Sequence, residues 1–368
     1  MVDRKKVVKE KNNKECEKLV KINNLGKHHI FAMCLFIIGI VSLIKQMVTG
    51  FDGYINHYPW GLYIGLFFTA AGGGAGLLII LGFGMLSGTI ENSTSKQLYT
   101  CALAMFITAG CLIFADLGYP IGFYNMIISP NLSAPMNYDA IALLAAIIMS
   151  LLAAIKIKSD GAKSKNFAVA GIAIGIILLG VESWLVAVSV RQDIWAVMLG
   201  AGPALFQALT IGLAVVVLFH NGGSWRNGLV MALFLVLTTQ LIDLFAGIGN
   251  MNHLGSQLTM LAKSYTFWIS SLGMLACLLI GVLSSSKKTI AVLTVFSIAM
   301  AKLSIIWAGQ SSAALDQLTF TGEPHLVLSE ILVVIGMIGL GALIYSLAAW
   351  FVQVRLPGRI TKDEGANI

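Results

Sequence analysis

Five acidic side chains and one lysine interrupt the long apolar stretches of this chain: Asp116, Asp139, Glu182, Asp243, Glu330 and Lys302. A charge held in hydrocarbon costs on the order of several kcal/mol, so such residues face a cavity, a partner or a proton path. Glu182 lies about 15 residues into its apolar stretch, roughly 22 Å from the start at 1.5 Å per residue. Asp243 and Lys302 lie at comparable depth, while Asp116 closes one stretch, Asp139 opens the next and Glu330 sits about one turn into the last. All fall toward one side of the membrane. A salt bridge of Lys302 with Asp243 or Glu182 is the plain structural reading. A layer of several ionisable groups suits proton exchange with a ligand near that surface.

A second constellation precedes the first small-residue run. His57-Tyr-Pro-Trp60-Gly-Leu-Tyr63-Ile leads into Ala70, Ala71, Gly72, Gly73, Gly74, Ala75 and Gly76. Pro59 suits a first helical turn, where a missing N–H costs nothing. Trp60 and Tyr63 suit the depth at which a membrane helix meets headgroups. Small residues let a neighbouring helix, or a flat ligand, approach the backbone closely. The stretch therefore reads either as a helix-packing surface or as the floor beneath a flat molecule arriving from the bilayer.

The elements that must position these residues are transmembrane helices. The chain is 57% hydrophobic and 11% charged, against roughly 45–50% and 25% in soluble domains. Ten apolar segments are long enough to span or nearly so, at 29–48, 60–86, 98–117, 137–155, 167–188, 196–219, 228–247, 262–283, 289–308 and 326–352. They are too long for β-barrel strands and do not alternate, so the fold class is an all-α integral membrane protein of about ten helices. The expected division is a basic arm at 1–27, a polytopic membrane domain at 28–354 and a tail at 355–368. The arm is too hydrophilic to span and lacks the apolar core of a removable signal. Asp116 in LIFADLG (112–118) and Asp243 in LIDLFAG (241–247) close the second helix of two sets of four, spans two to five and six to nine. That pattern suggests a duplication giving two four-helix bundles with flanking helices.

Charge placement sets the orientation. If ten spans alternate, all of the 24 Lys and Arg except Lys45, Arg191, Lys263 and Lys302 fall on one side. The positive-inside rule puts that side, with both termini, in the cytoplasm of a prokaryote's inner membrane. The net charge of +7 is thus a topology signal, not a sign of nucleic-acid binding. The acidic layer and the aromatic segment then face outward. So do the long connections at 118–136, 248–262 and 309–325, which make that face the expected docking surface for a partner.

Some chemistries lack their residues. Haem held between helices needs deep histidines, and His28, His29, His57, His220, His253 and His325 lie at span ends or in loops. Cys16, Cys34, Cys101, Cys111 and Cys277 show no cluster spacing. The glycines at 72–76 do not follow a strand, so they form no dinucleotide or phosphate loop. Neither haem, an iron–sulfur cluster nor a metal is expected within this chain.

HYPWGLYIGLFFTAAGGGAGLL (57–78) and LIFADLGYPIGFYNMIISPNLSAPM (112–136) together resemble the NrfD/polysulfide-reductase membrane-subunit family, which includes the ten-span membrane subunit of periplasmic nickel–iron hydrogenase. The second segment follows that family's D-L-G-x-P … N … S-P … S-x-M stretch at Asp116, Leu117, Gly118, Pro120, Asn125, Ser129, Pro130, Ser133 and Met136. The resemblance implies a subunit without a redox centre of its own that binds a quinone, menaquinone or ubiquinone, as an exchangeable substrate near the outer face. It implies electron exchange with an outer iron–sulfur subunit, of ferredoxin-like type, and through it with a molybdopterin enzyme or nickel–iron hydrogenase. Where some members carry Asn and His on the first pocket helix and Tyr on the second, this chain has Leu62, Gly65 and Val181. The expected quinone-binding residues are therefore His57, Trp60, Tyr63, Glu182 and Arg191. Glu182 would exchange the quinone proton, Asp116, Asp139 and Asp243 would pass it on, and Lys302 would tune them. The rival class is a proton-coupled secondary transporter, for which a helix broken at Gly72–Gly74 and a site near the bilayer centre would be expected.

Overall fold

The computed structural model describes residues 29–49, 60–117, 128–131, 133–157, 164–188, 193–219, 223–247, 253–283, 286–313 and 328–355. Ten helices in it are long and apolar enough to cross a membrane. They are α1 (His29–Thr49), α2 (Leu62–Leu86), α3 (Asn92–Asp116), α4 (Pro135–Lys156), α5 (Ser164–Ala187), α7 (Ala201–Phe219), α8 (Gly223–Gly247), α10 (Tyr265–Leu283), α11 (Lys287–Ala313) and α12 (Leu328–Arg355). Two short helices, α6 (Asp193–Met198) and α9 (His253–Lys263), precede α7 and α10. The protein is an all-α, multi-pass integral membrane protein.

The short helices revise two expected segments. The apolar run 196–219 does not cross as one helix. It breaks at Leu199 and Gly200, and α7 restarts with Pro203 in its first turn, where proline is tolerated. The stretch 248–262, expected as a connection, holds α9, which ends at Ser264 before α10 begins. Most of the connections at 118–136 and 309–325 lies outside the described residues.

Helix packing forms two closed rings. In the first, α2 packs on α3, α3 on α4, α4 on α5, and α5 back on α2. In the second, α7 packs on α8, α8 on α10, α10 on α11, and α11 back on α7. These are the two four-helix sets expected from the sequence, and they meet along α2 and α7. There, a Cβ on Gly76 would overlap the Ala208 carbonyl, and one on Gly212 would lie 2.6 Å from the Gly76 carbonyl carbon and the Leu77 nitrogen. The two rings are related in parallel, since α2 and α7 each open a set in the same direction. Outside them, α12 packs on α3, and α1 packs on α12 through Gly39 and Gly336.

Most of the small-residue run on α2 is therefore packing surface. Gly73 accommodates Ile211 and Met105, and Gly74 accommodates the Phe106 ring. The helix is continuous through Gly72–Gly74, so the break expected of a transporter helix does not occur there. At its other end Gly88, at φ +73°, turns the chain into α3. The turn is tied by Gly88 N–H to Met85 O and by Thr89 and Ile90 N–H to Gly84 O, the helix-ending arrangement that glycine's left-handed conformation allows.

Candidate functional site

One end of the bundle carries the intramembrane charges. The Trp60 N–H donates to Gln310 Oε1 at 3.0 Å, and Gln310 Nε2 donates to the Trp60 carbonyl at 2.7 Å. This bidentate clamp places the start of α2 beside the last turns of α11. By chain direction the same end holds the close of α3 (Asp116), the start of α4 (Asp139), the close of α5 (Glu182), the close of α8 (Asp243) and the start of α12 (Glu330).

The structure sorts these residues into two groups and one outlier. Glu182 and Lys302 approach α2 at Gly72. A Cβ there would sit 3.3 Å from Glu182 Oε2 and 3.5 Å from Lys302 Nζ. Asp139 lies within Coulombic reach of Glu182, as does Lys302, and the Tyr138–Trp184 ring pair, 5.5 Å apart, joins α4 to α5 at that level. Glu182, Asp139 and Lys302 are only 2–3% exposed. Lys302 Nζ donates to the Phe68 carbonyl at 2.9 Å. Glu182 Oε1 and Asp139 Oδ1 have no hydrogen-bond partner among the described residues. Gly72 stands ten residues into α2, about 15 Å from its start at 1.5 Å per residue.

Asp116 pairs instead with Glu330, within Coulombic reach across the α3–α12 contact. Glu330 is 3% exposed and its Oε2 lacks a described partner. Asp243 on α8 is half-buried and no described interaction links it to either group. The acidic layer is thus divided among separate helix contacts.

The arrangement of three buried groups has a direct chemical consequence. Two carboxyls and one ammonium within a low-dielectric space balance their charge when the acids share one proton. That leaves one carboxyl able to give or take a proton, with a lone pair already free of partners. Gly72 lets both groups approach α2, since a Cβ there would press on the carboxylate and touch the ammonium.

Aromatic and amide groups cover the site toward the Trp60 end. The indoles of Trp60 and Trp195 stack at 4.4 Å with planes 2° apart, and Trp60 packs at an angle on Phe68, 5.9 Å away. Trp195 Nε1 donates to Ile305 O at 3.2 Å. Gln257 of α9 accepts from the Ile194 N–H at 2.9 Å and donates to Gly309 O at 3.3 Å. The last turns of α11 therefore hold the start of α2, helix α6 and helix α9 together, within about one to two turns of Lys302. Tyr63, expected at the headgroups, is buried and donates to Gln46 of α1 at 2.7 Å. His57 and Arg191 lie outside the described residues.

Trp195, Gln257 and Gln310 were not among the residues singled out from the sequence. All three lie just outside the apolar segments 196–219, 262–283 and 289–308, so no apolar span marked them; what they share is a side-chain donor or acceptor that burial obliges to find a partner.

No family model matches the chain. Over 125 residues it is 30% identical to a protein of Halobacterium salinarum described as a putative membrane subunit of dimethyl sulfoxide reductase, a match that covers 33% of this chain and 29% of that protein.

Proposed function

We propose that this chain is the quinone-binding membrane subunit of a respiratory oxidoreductase complex, of the NrfD/polysulfide-reductase type. The observation that carries the reading is the buried Asp139–Glu182–Lys302 group around Gly72, with unpartnered carboxylate oxygens beneath an aromatic cover at one end of the bundle. The similarity to a membrane subunit named for a dimethyl sulfoxide reductase supports the same class.

In this reading the Trp60 end faces outward and both termini lie in the cytoplasm. A quinone, menaquinone or ubiquinone, enters from lipid near Trp60, with His57 and Arg191 contributing from the same face. Reduction of a quinone takes up two electrons and two protons, and oxidation of the quinol releases them. Glu182 exchanges one proton with the quinone oxygen, Asp139 shares it, and Lys302 holds the balancing charge. Asp116 with Glu330, and Asp243, stand as separate proton-exchanging groups nearer the surface. Electrons pass to an iron–sulfur subunit docked on the outer loops, and through it to a molybdopterin or nickel–iron catalytic subunit.

The test is purification in mild detergent, with mass spectrometry of the copurifying subunits and extraction of bound lipids. An iron–sulfur subunit and a quinone are the expected companions. A lone chain without quinone after gentle extraction would overturn the assignment.

A further inference from the structure

The buried charged group has a pair of aromatic rings at its back. Tyr138 and Asp139 are consecutive on α4, and Glu182 and Trp184 stand two residues apart on α5. A helix turns about 100° per residue, so Trp184 points nearly opposite to Glu182, and Tyr138 points well away from Asp139. Exposure follows that division: Asp139 and Glu182 are 2% exposed, Tyr138 38% and Trp184 42%. The acids turn inward and the rings turn to the bilayer.

Both pairs join the same two helices. The rings of Tyr138 and Trp184 meet at 5.5 Å with planes 43° apart, and Asp139 lies within Coulombic reach of Glu182. The seam between α4 and α5 therefore carries aromatic rings on its bilayer side and carboxyls on its inner side. Both rings stand near helix ends. Tyr138 is in the first turn of α4, which has no side-chain cap, and Trp184 is in the last turn of α5. The cover over the group at the start of α2 is more firmly held: Trp195 and Phe68 are 3% and 4% exposed, Gln310 clamps Trp60, and Trp195 is bonded to Ile305 O.

We propose that Tyr138 and Trp184 form the doorway through which the planar head of a membrane-dissolved quinone reaches Glu182 at the Trp60 end of the bundle, its tail staying in lipid outside α4 and α5. This rests on the quinone reading and adds the route. A flat, electron-poor ring stacks on indole and phenol faces, and the tilt of the pair leaves part of each face open to the bilayer. Parting the two side chains leads the ring toward Glu182, whose Oε1 has no partner among the described residues. Tryptophan and tyrosine also mark the headgroup level of membrane proteins without binding anything. Trp268 of α10 gives the comparison: it is 39% exposed, its Nε1 donates to Ala262 O, and its neighbours Phe267 and Ile269 are apolar.

The experiment is photolabelling of the protein, purified with whatever subunits accompany it, by aryl-azide analogues of menaquinone and of ubiquinone. Each is used with and without an excess of the parent quinone, and labelled peptides are read by mass spectrometry. Label on the α4 peptide around Tyr138 or the α5 peptide around Trp184, suppressed several-fold by one parent quinone, is expected. Suppressible label confined to other helices would overturn the doorway and leave the quinone reading standing. No suppressible label anywhere in the chain would overturn both. A second measurement reads turnover in Trp184→Cys and Trp268→Cys, each before and after alkylation with a bulky maleimide, beside unaltered protein treated alike. Alkylation should lower kcat/KM for the quinone several-fold in Trp184→Cys and leave it unchanged in Trp268→Cys. Equal effects at the two positions would overturn the proposal.

Discussion

At the scale of single residues, Glu182 and Gly72 form one unit. Glu182→Gln keeps the shape and removes the exchangeable proton. We expect quinone turnover of the purified complex to fall at least tenfold, about the scale of a lost general acid–base group, with subunit assembly unchanged on a native gel. Unchanged turnover would remove Glu182 from the mechanism. Gly72→Val tests the same position from the other side, because a Cβ there already lies 3.3 Å from Glu182 Oε2 and 3.5 Å from Lys302 Nζ, and valine adds two methyl groups beyond it. A loss of turnover comparable to that of Glu182→Gln is expected, in protein that still assembles. Full turnover in Gly72→Val would show that close approach of Glu182 and Lys302 to α2 is not needed.

At the scale of elements, the outer turns of α11 act as a tether. Gln310 holds both backbone polar groups of Trp60, so Gln310→Leu strands a donor and an acceptor in a half-buried position. A cost of about 1–3 kcal/mol is expected, read as a lower melting temperature in detergent. A shift in tryptophan emission should accompany it as the Trp60–Trp195 stack loosens. Gln310→Glu keeps the acceptor for the Trp60 N–H but sets an oxygen against the Trp60 carbonyl, and should cost at least as much as Gln310→Leu. The α2–α7 contact is a second element-scale feature. Gly76→Val places bulk against the Ala208 carbonyl and should cost about 3 kcal/mol or more, as overpacking does when backbone blocks relaxation. Gly212→Val should cost a similar amount, and the double variant less than the sum, because both crowd one contact.

At the scale of the whole molecule, two parallel four-helix rings share one interface, and the charged group sits against it on α2. Helices on both sides build that group, Glu182 and Asp139 from the first ring and Lys302 from the second. Relative movement of the rings would therefore change the distance between acid and base. Orientation is the prediction that belongs here. With the basic connections inside, green fluorescent protein fused after Ile368 should fluoresce, and alkaline phosphatase fused there should be inactive. The reverse pattern would place the Trp60 end, and any iron–sulfur partner, in the cytoplasm.

Apolar run lengths are enough to define ten spans, because crossing hydrocarbon demands long apolar helices and permits little else. The depths of Asp116, Asp139, Glu182, Asp243, Glu330 and Lys302 grouped them toward one end, where the structure also has them. Even the two four-helix sets were legible in the repeated LIFADLG and LIDLFAG. Partner choice among the charges was legible only for Lys302, expected beside Asp243 or Glu182 and found beside Glu182. Depth along a helix says nothing about which face a residue occupies or which helix stands opposite it, so the single acidic layer resolved into Asp139–Glu182–Lys302, Asp116–Glu330 and a separate Asp243. The dual use of the glycine run was equally hidden, since Gly73, Gly74 and Gly76 receive neighbouring side chains and backbone while Gly72, one residue away, faces the charged group. Helix periodicity sets the angle between such neighbours, but only the packed structure shows what each angle meets.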